Sequence, residues 1–446
     1  MAEKNNVQEE GLVRAIGTGA LGINVINMIV GGGIFVLPGL VAAILGPAAI
    51  IAYLICSVTV ALVFLCFAEV GSRVSRSGGT YAYVEEAFGP FVGFIASILF
   101  WFGFSALADA AITVIMVDAL AVLFPILNDF FPRAVFIVGL LVFLTVVNIR
   151  GVKQGVRLYV FNTIIKLVPL VLLLVVGLFA IDLQNLVIPE WPSIANIGAA
   201  SILLFYAFNG AESALNASGE IMNPARTVPR GLLLGLSGIL VLYVGLQTVS
   251  QGVLGPDLAN NTVAPLVAVA TGVFGDWGGK MLIAAVVLSI YGNLSGDLLG
   301  GPRIIFASAL DNNLPRSLGK VHPKYKTPHV AIIFFATVIA VFALSGTFKY
   351  LAVVATGSLL LVDLAVILAV PLLRRRDGMP KEGQFRLPFG HVIPILAFGV
   401  VGWLLLQMPL NEAATVGALI GACVVFYFGR SAWRKARRNE DPGDIR

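Results

Sequence analysis

Residues 21–45 form an uncharged, mostly apolar run of a length that crosses a bilayer, and three consecutive glycines, Gly31-Gly32-Gly33, stand near its middle. Glycine is a poor filler of a helix interior, disfavoured by roughly 1 kcal/mol per residue relative to alanine. Lipid offers no water to loosened backbone, so a non-helical stretch survives there only when buried in protein or lining a cavity. The sequence therefore predicts a helix broken inside the membrane, with backbone groups facing a cavity. A second apolar segment, beginning near Ile194, carries Tyr206-Ala207-Phe208-Asn209-Gly210-Ala211-Glu212 and is expected to break in the same way. Two interrupted helices at matching places in two halves of a membrane chain point to a binding site at the bilayer midplane.

The rest of the composition agrees. Of 446 residues, 58% are hydrophobic and only 12% charged, and the mean hydropathy is +0.95. A soluble domain carries about twice that charge. Counting stretches of about 20 apolar residues gives about 12 candidate spans. No stretch between them is long enough for a soluble domain. The net charge of +5 does not signal nucleic-acid binding, because the basic residues alternate from loop to loop. Arg73 and Arg76, Arg150, Lys153 and Arg157, Arg226 and Arg230, Arg316 to Lys326, and Arg374 to Arg376 fall on one side; Arg133, Lys280 and Lys349 fall on the other. The positive-inside rule then places both termini in the cytoplasm of a multi-pass protein of the cell membrane. No removable signal peptide is expected.

An odd number of spans per half forces the halves into opposite orientation. The expected organisation is all-α. It comprises a cytoplasmic tail over residues 1–13, a first repeat of five spans over 14–183 and an inverted second repeat over 192–376. Two extra helices follow over 389–431, then a basic tail over 432–446. Helices 1 and 6 are the broken ones. The small residues Gly417, Ala418, Gly421 and Ala422 of the last span suit packing within one subunit or a dimer face, leaving monomer and homodimer open. Cys56, Cys66 and Cys423 lie in apolar spans with neither disulfide nor metal spacing, so no metal or cofactor is expected.

Three stretches together resemble the amino acid–polyamine–organocation (APC) superfamily of transporters. They are Gly31-Gly32-Gly33-Ile34-Phe35; Glu69 with Ser77-Gly78-Gly79-Thr80-Tyr81; and Phe208-Asn209-Gly210-Ala211-Glu212 followed by Glu220, Asn223-Pro224-Ala225-Arg226 and Pro229-Arg230. Two departures stand out: Ser75 replaces a proline common in relatives, and Gly32 replaces a larger small residue. The resemblance implies a leucine-transporter-like fold, alternating access, and a zwitterionic substrate or related amine. Free N–H groups around Gly31, Gly32 and Gly33, at the positive end of a half-helix, suit a carboxylate. By the family pattern, the carbonyls of Ile29, Tyr206 and Asn209 suit an ammonium.

Charged residues inside the membrane mark function by default. Lys166 lies about 12 Å into the fifth span at 1.5 Å per residue. In sodium-independent members of the resembled family a lysine here substitutes for a bound sodium ion, bridging spans one, five and eight; snorkelling to the interface is the bland alternative. Glu212 is a candidate proton-sensitive latch beside the second break, or a structural hydrogen-bonding group. Asp109 and Asp297, in spans three and eight, suit a cationic side chain or second amine, or else pair with backbone or Arg303. Phe205, Tyr206 and Phe208 are candidates for an aromatic gate, with core packing expected for at least one.

The expected function is secondary transport of amino acids, by sodium-independent exchange or proton-coupled uptake, with the small-molecule substrate, the lipid bilayer and a coupled proton as partners. A polyamine or other organic-cation carrier is the alternative. A membrane enzyme is disfavoured, since no nucleophile motif or intramembrane His/Asp constellation stands in the sequence.

Overall fold

The computed structural model describes residues 17–74, 80–151, 156–210, 221–310, 313–381 and 383–440. Sixteen α-helices follow one another within them: α1 (Thr18–Ile29), α2 (Leu37–Leu45), α3 (Ala49–Arg73), α4 (Thr80–Phe88), α5 (Pro90–Ile98), α6 (Leu107–Ala121), α7 (Phe130–Ile149) and α8 (Val156–Gly177) come first. Then come α9 (Ile194–Phe205), α10 (Pro224–Leu254), α11 (Pro265–Phe274), α12 (Asp276–Leu310), α13 (His329–Ser345), α14 (Phe348–Asp377), α15 (Val392–Leu406) and α16 (Leu410–Glu440). Among the described residues, seven helical stretches are long and apolar enough to cross a membrane, and the shorter apolar helices include α1 and α9, which end at the two chain breaks.

Local chemistry sets the joints. Gly46, at φ 54°, ends α2 and turns the chain into α3. Gly89, at φ 85°, separates α4 from α5, and Pro90 opens α5 without wasting an amide hydrogen. Between α5 and α6 the chain never leaves the helix; Leu99–Ala106 widens into π-helical turns, so Pro90–Ala121 is one rod. The segment after Arg73 reads as a loop in sequence, yet Thr80–Phe88 is helical. Its Tyr83 ring meets Phe67 edge-on with centroids 6.4 Å apart, and the missing side chain of Gly71 makes room for the Tyr83 hydroxyl. Tertiary packing, not local pattern, makes that helix.

The helices differ in how much of them the protein covers. In α14, 78% of the apolar window is buried, against 17% in α7 and 11% in the span at Leu410–Arg430. So α14 runs through the core, against α3, α4, α6, α9 and α15. Helices α7 and α16 form the rim. Their outward faces carry Phe130, Phe131, Val142, Phe143, Val425 and Phe428, all exposed. A contiguous apolar surface of this kind belongs in lipid. The protein is a multi-pass membrane protein.

The two broken segments lie against each other at the centre. Helix α1 packs along α10, α2 packs on α9, and the short turns after each break touch.

Candidate functional site

Helix α1 makes its last ladder bond from the Val30 N–H to the Ile26 carbonyl, at 2.9 Å. Val30 is then extended, and helical bonding resumes only with Phe35 N–H to Gly32 O and Val36 N–H to Gly33 O, both 3.1 Å. The break strands two sets of backbone groups. On its N-terminal side are carbonyls; on its C-terminal side are the N–H groups of Gly31 to Ile34, which precede the resumed bonding.

Side chains from elsewhere take the carbonyls. The Lys166 ammonium, from α8, donates to Asn27 O at 2.5 Å and to Val30 O at 2.8 Å. Lys166 is only 1% exposed, so it does not snorkel. The Tyr243 hydroxyl, from α10, lies 3.1 Å from Ile29 O and 3.0 Å from Ala207 O. Freed backbone in a membrane must find such partners. The Ile29 carbonyl, expected to receive an ammonium, thus already has one hydrogen-bond donor and keeps a second lone pair.

The second break follows α9. A 3-10 turn over Tyr206–Phe208 leads to an extended Asn209 and then Gly210 at φ 119°. A Cβ on Gly210 would stand 2.6 Å from Met28 O, so only glycine allows the two breaks to meet. A Cβ on Gly33 would stand 3.1 Å from the Tyr206 ring. Asn209 is buried, and neither atom of its amide has a partner among the described residues. A buried polar group without a partner is unusual and asks for a ligand, a water or a functional role.

The three aromatic residues separate. Phe205 is buried in the core. Phe208 is wedged between the rings of Tyr53 and Tyr243, with centroids 6.4 Å and 5.2 Å away. Tyr206 alone reaches α6, where its hydroxyl donates to Ala108 O at 2.9 Å while its ring meets Phe348.

Helices α6 and α12 close the remaining sides. A Cβ on Gly32 would lie 2.8 Å from Ile112 Cγ2, and one on Gly31 would lie 3.3 Å from Asn293 Nδ2. Ile112, Asn293 and Tyr243 were not singled out in the sequence. A lone tyrosine or asparagine in an apolar helix was the only signal available for the latter two. One turn beyond Asn293, the same helix carries Asp297. Asp109 is 1% exposed and its second oxygen has no partner among the described residues. Asp297 is exposed. Its neighbours Gly296 and Gly300 have nothing within 4 Å of where a Cβ would be. Arg303, the alternative partner, is exposed.

Glu212 and Glu220 lie outside the described residues, as do Ser77, Gly78 and Gly79. Among the described residues no group of three or more His, Cys, Asp or Glu side chains is placed to hold a metal ion.

A broken-helix site of this kind, in an all-helical membrane chain, defines a transporter-like architecture. The family model described as amino acid permease matches residues 17–429, and the chain belongs to that family, within the APC superfamily. It is 28% identical over 436 residues to the serine/threonine exchanger SteT of Bacillus subtilis (strain 168), covering 95% of this chain and 98% of that one. The branched-chain amino acid permease BcaP of the same organism is 27% identical over 452 residues, covering 95% and 94%. Its methylthioribose transporter is 27% identical over 458 residues, covering 95% of each chain.

Proposed function

We propose that the protein is a secondary carrier of zwitterionic amino acids that works by alternating access without sodium. In this reading the chain crosses the membrane twelve times with both termini in the cytoplasm. Residues 14–183 and 192–376 are its inverted repeats, and residues 389–431 add the last two spans. The observation that carries the reading is the pair of chain breaks pressed together at the centre. The unused N–H groups of Gly31 to Ile34 would hold the substrate carboxylate. The second lone pair of Ile29 O, the carbonyls around Tyr206 and Asn209, and the unpartnered Asn209 amide would hold its ammonium. Ile112 and Ile115, beside Gly32, would meet the side chain.

Lys166 supports sodium independence. Its ammonium already supplies a fixed positive charge to Asn27 O and Val30 O, which are the kind of oxygen ligands a hard cation needs. The names of SteT and BcaP support a free amino acid as cargo.

Counterflow in proteoliposomes tests this. Vesicles loaded with unlabelled serine, threonine, leucine or isoleucine should take up the labelled form of the same amino acid transiently, and equally well in sodium-free choline buffer. Counterflow with putrescine but with none of the amino acids would overturn the reading.

A further inference from the structure

Two loops far apart in sequence are locked together at one end of the bundle. The Thr327 hydroxyl donates to Ile149 O at 2.7 Å. A Cβ on Gly151 would stand 3.6 Å from Thr327 Cγ2 and 4.0 Å from Tyr325 O. Arg150, just after α7, is thereby brought to the loop that carries Lys324 and Lys326, just ahead of α13. His322 fixes the shape of that loop. Its Nδ1 accepts the Lys324 and Tyr325 N–H groups, both at 3.2 Å. Its own N–H donates to Thr327 O at 2.8 Å, and its carbonyl accepts the Lys326 N–H at 3.0 Å. The His322 ring centroid lies 4.7 Å from that of Tyr325 and 5.2 Å from that of His329. Lys326 is held at φ 57°, a left-handed backbone that a lysine rarely adopts. Backbone kept in that region points to a functional constraint. The Lys324 ammonium is placed too, 5.5 Å from the centroid of the Tyr325 ring.

The charge on this surface has one sign. No acidic residue stands between Asp129 and Asp182, nor between Asp311 and Asp363, so both loops are purely basic. Arg150, Lys324 and Lys326 are exposed, and none of them enters an ion pair among the described residues. Next to the basic loops, α7 and α13 pack against each other and keep apolar side chains on the surface. Val142, Phe143 and Val146 on α7 are exposed, as are Ile333, Phe334 and Val341 on α13. Val146 lies about one helical turn from Arg150, and Ile333 about one turn from His329. Uncompensated positive charge thus borders a surface that belongs in lipid.

We propose that Arg150, Lys324 and Lys326 form a binding site for the headgroup of an anionic phospholipid, whose acyl chains lie along α7 and α13. The phosphate oxygens accept hydrogen bonds from the guanidinium and the two ammonium groups. The chains cover the exposed valines, Ile333 and Phe334. That apolar continuation selects a lipid over a free phosphate, which gains nothing from it. In the twelve-span reading the site lies in the cytoplasmic leaflet, where basic residues beside a membrane helix attract anionic lipid. Lipid binding here is independent of the cargo, so its failure would leave the carrier reading untouched.

Microscale thermophoresis of the full-length protein in neutral detergent, titrated with phosphatidylglycerol or phosphatidylcholine, tests the proposal. The wild type should bind phosphatidylglycerol the more tightly. Arg150→Gln should weaken that binding about fivefold, and Lys324→Gln combined with Lys326→Gln about twenty-five-fold, at about fivefold per charge. Phosphatidylcholine binding should stay as it is. Arg376→Gln, which removes a basic residue paired with Glu86 elsewhere, should leave phosphatidylglycerol binding unchanged. The two charge variants lie on different loops and alter only exposed side chains, so a folding defect in one leaves the other to decide. Wild-type binding that does not distinguish the two lipids, or that survives in both charge variants, would overturn the proposal. So would displacement of phosphatidylglycerol by millimolar inorganic phosphate, which would mark a free-anion site. An equal loss in Arg376→Gln would overturn it as well, because diffuse charge would then suffice.

Discussion

Arg374 and Glu69 face each other through two parallel hydrogen bonds, Nε to Oε1 and Nη2 to Oε2, both 2.7 Å. The pair joins the end of α14 to the end of α3 in the dry interior, with Glu69 fully buried. The remaining valences are filled: Glu69 Oε2 also accepts the Leu387 N–H at 2.9 Å, and Arg374 Nη1 donates to Gly390 O at 3.0 Å. In sequence Arg374 reads as one of a run of basic loop residues. Its neighbour Arg376 does behave so, pairing with Glu86 while both remain nearly half exposed.

The two ion pairs should therefore answer differently to substitution. Glu69→Ala leaves a buried guanidinium unpaired and is expected to cost about 3–5 kcal/mol of stability. Arg376→Ala removes a solvent-screened pair and should cost about 1 kcal/mol or less. Thermal unfolding of the detergent-solubilised protein checks both. Equal losses would mean that the buried pair is not the stronger tie.

Gly32 is expected to be sensitive to size through Ile112. Gly32→Ala puts a methyl 2.8 Å from Ile112 Cγ2, and overpacking of this kind costs about 1–3 kcal/mol. Adding Ile112→Ala removes the offending atom. A double-mutant cycle on stability and substrate affinity should show coupling of about 0.5–3 kcal/mol, with the second substitution relieving the first. Strict additivity would show that the two residues do not meet in the working protein.

Gly210→Ala has no such remedy. The obstacle is the backbone oxygen of Met28, and φ is 119°, so strain of about 1–3 kcal/mol adds to the clash. The variant should lose substrate binding together with thermal stability, and no side-chain deletion nearby should restore it. Recovery on truncating Met28 would count against the close contact of the two breaks.

Lys166→Met should leave two buried carbonyls, Asn27 O and Val30 O, without a donor. Each orphan costs about 1–3 kcal/mol. Counterflow should fall while wild-type counterflow stays indifferent to replacing sodium by choline. A wild-type rate that collapses in choline would show that Lys166 does not do the work of a cation.

The places where the chain leaves the helix were legible in sequence because their signals are local. Gly31 to Gly33 and Asn209-Gly210 are poor helix formers wherever they stand, and α1 and the turn after α9 end beside them. Lys166 was legible because a charge in an apolar span is rare. The residues that complete the arrangement were not. Tyr243, Ile112 and Asn293 matter through what they approach across the bundle, and nothing within a few residues of each announces it. The same holds for Arg374, hidden among basic neighbours, and for Thr80–Phe88, helical through the packing of Tyr83. Phe205 and Phe208 err the other way: aromatics beside a break suggest a gate, but their rings are core.

The Tyr243 hydroxyl has one hydrogen and two claimants, Ile29 O and Ala207 O. A phenol can serve only one of them fully at a time. At every instant, then, one of the two interrupted helices is short of a donor, and the deficit can change hands with a small turn of the C–O bond. A cationic group arriving between the helices need not evict the tyrosine. In the carrier reading it would take whichever oxygen the tyrosine has let go, and in doing so would decide the other for it. A single rotor would then let both chain breaks register the same arrival.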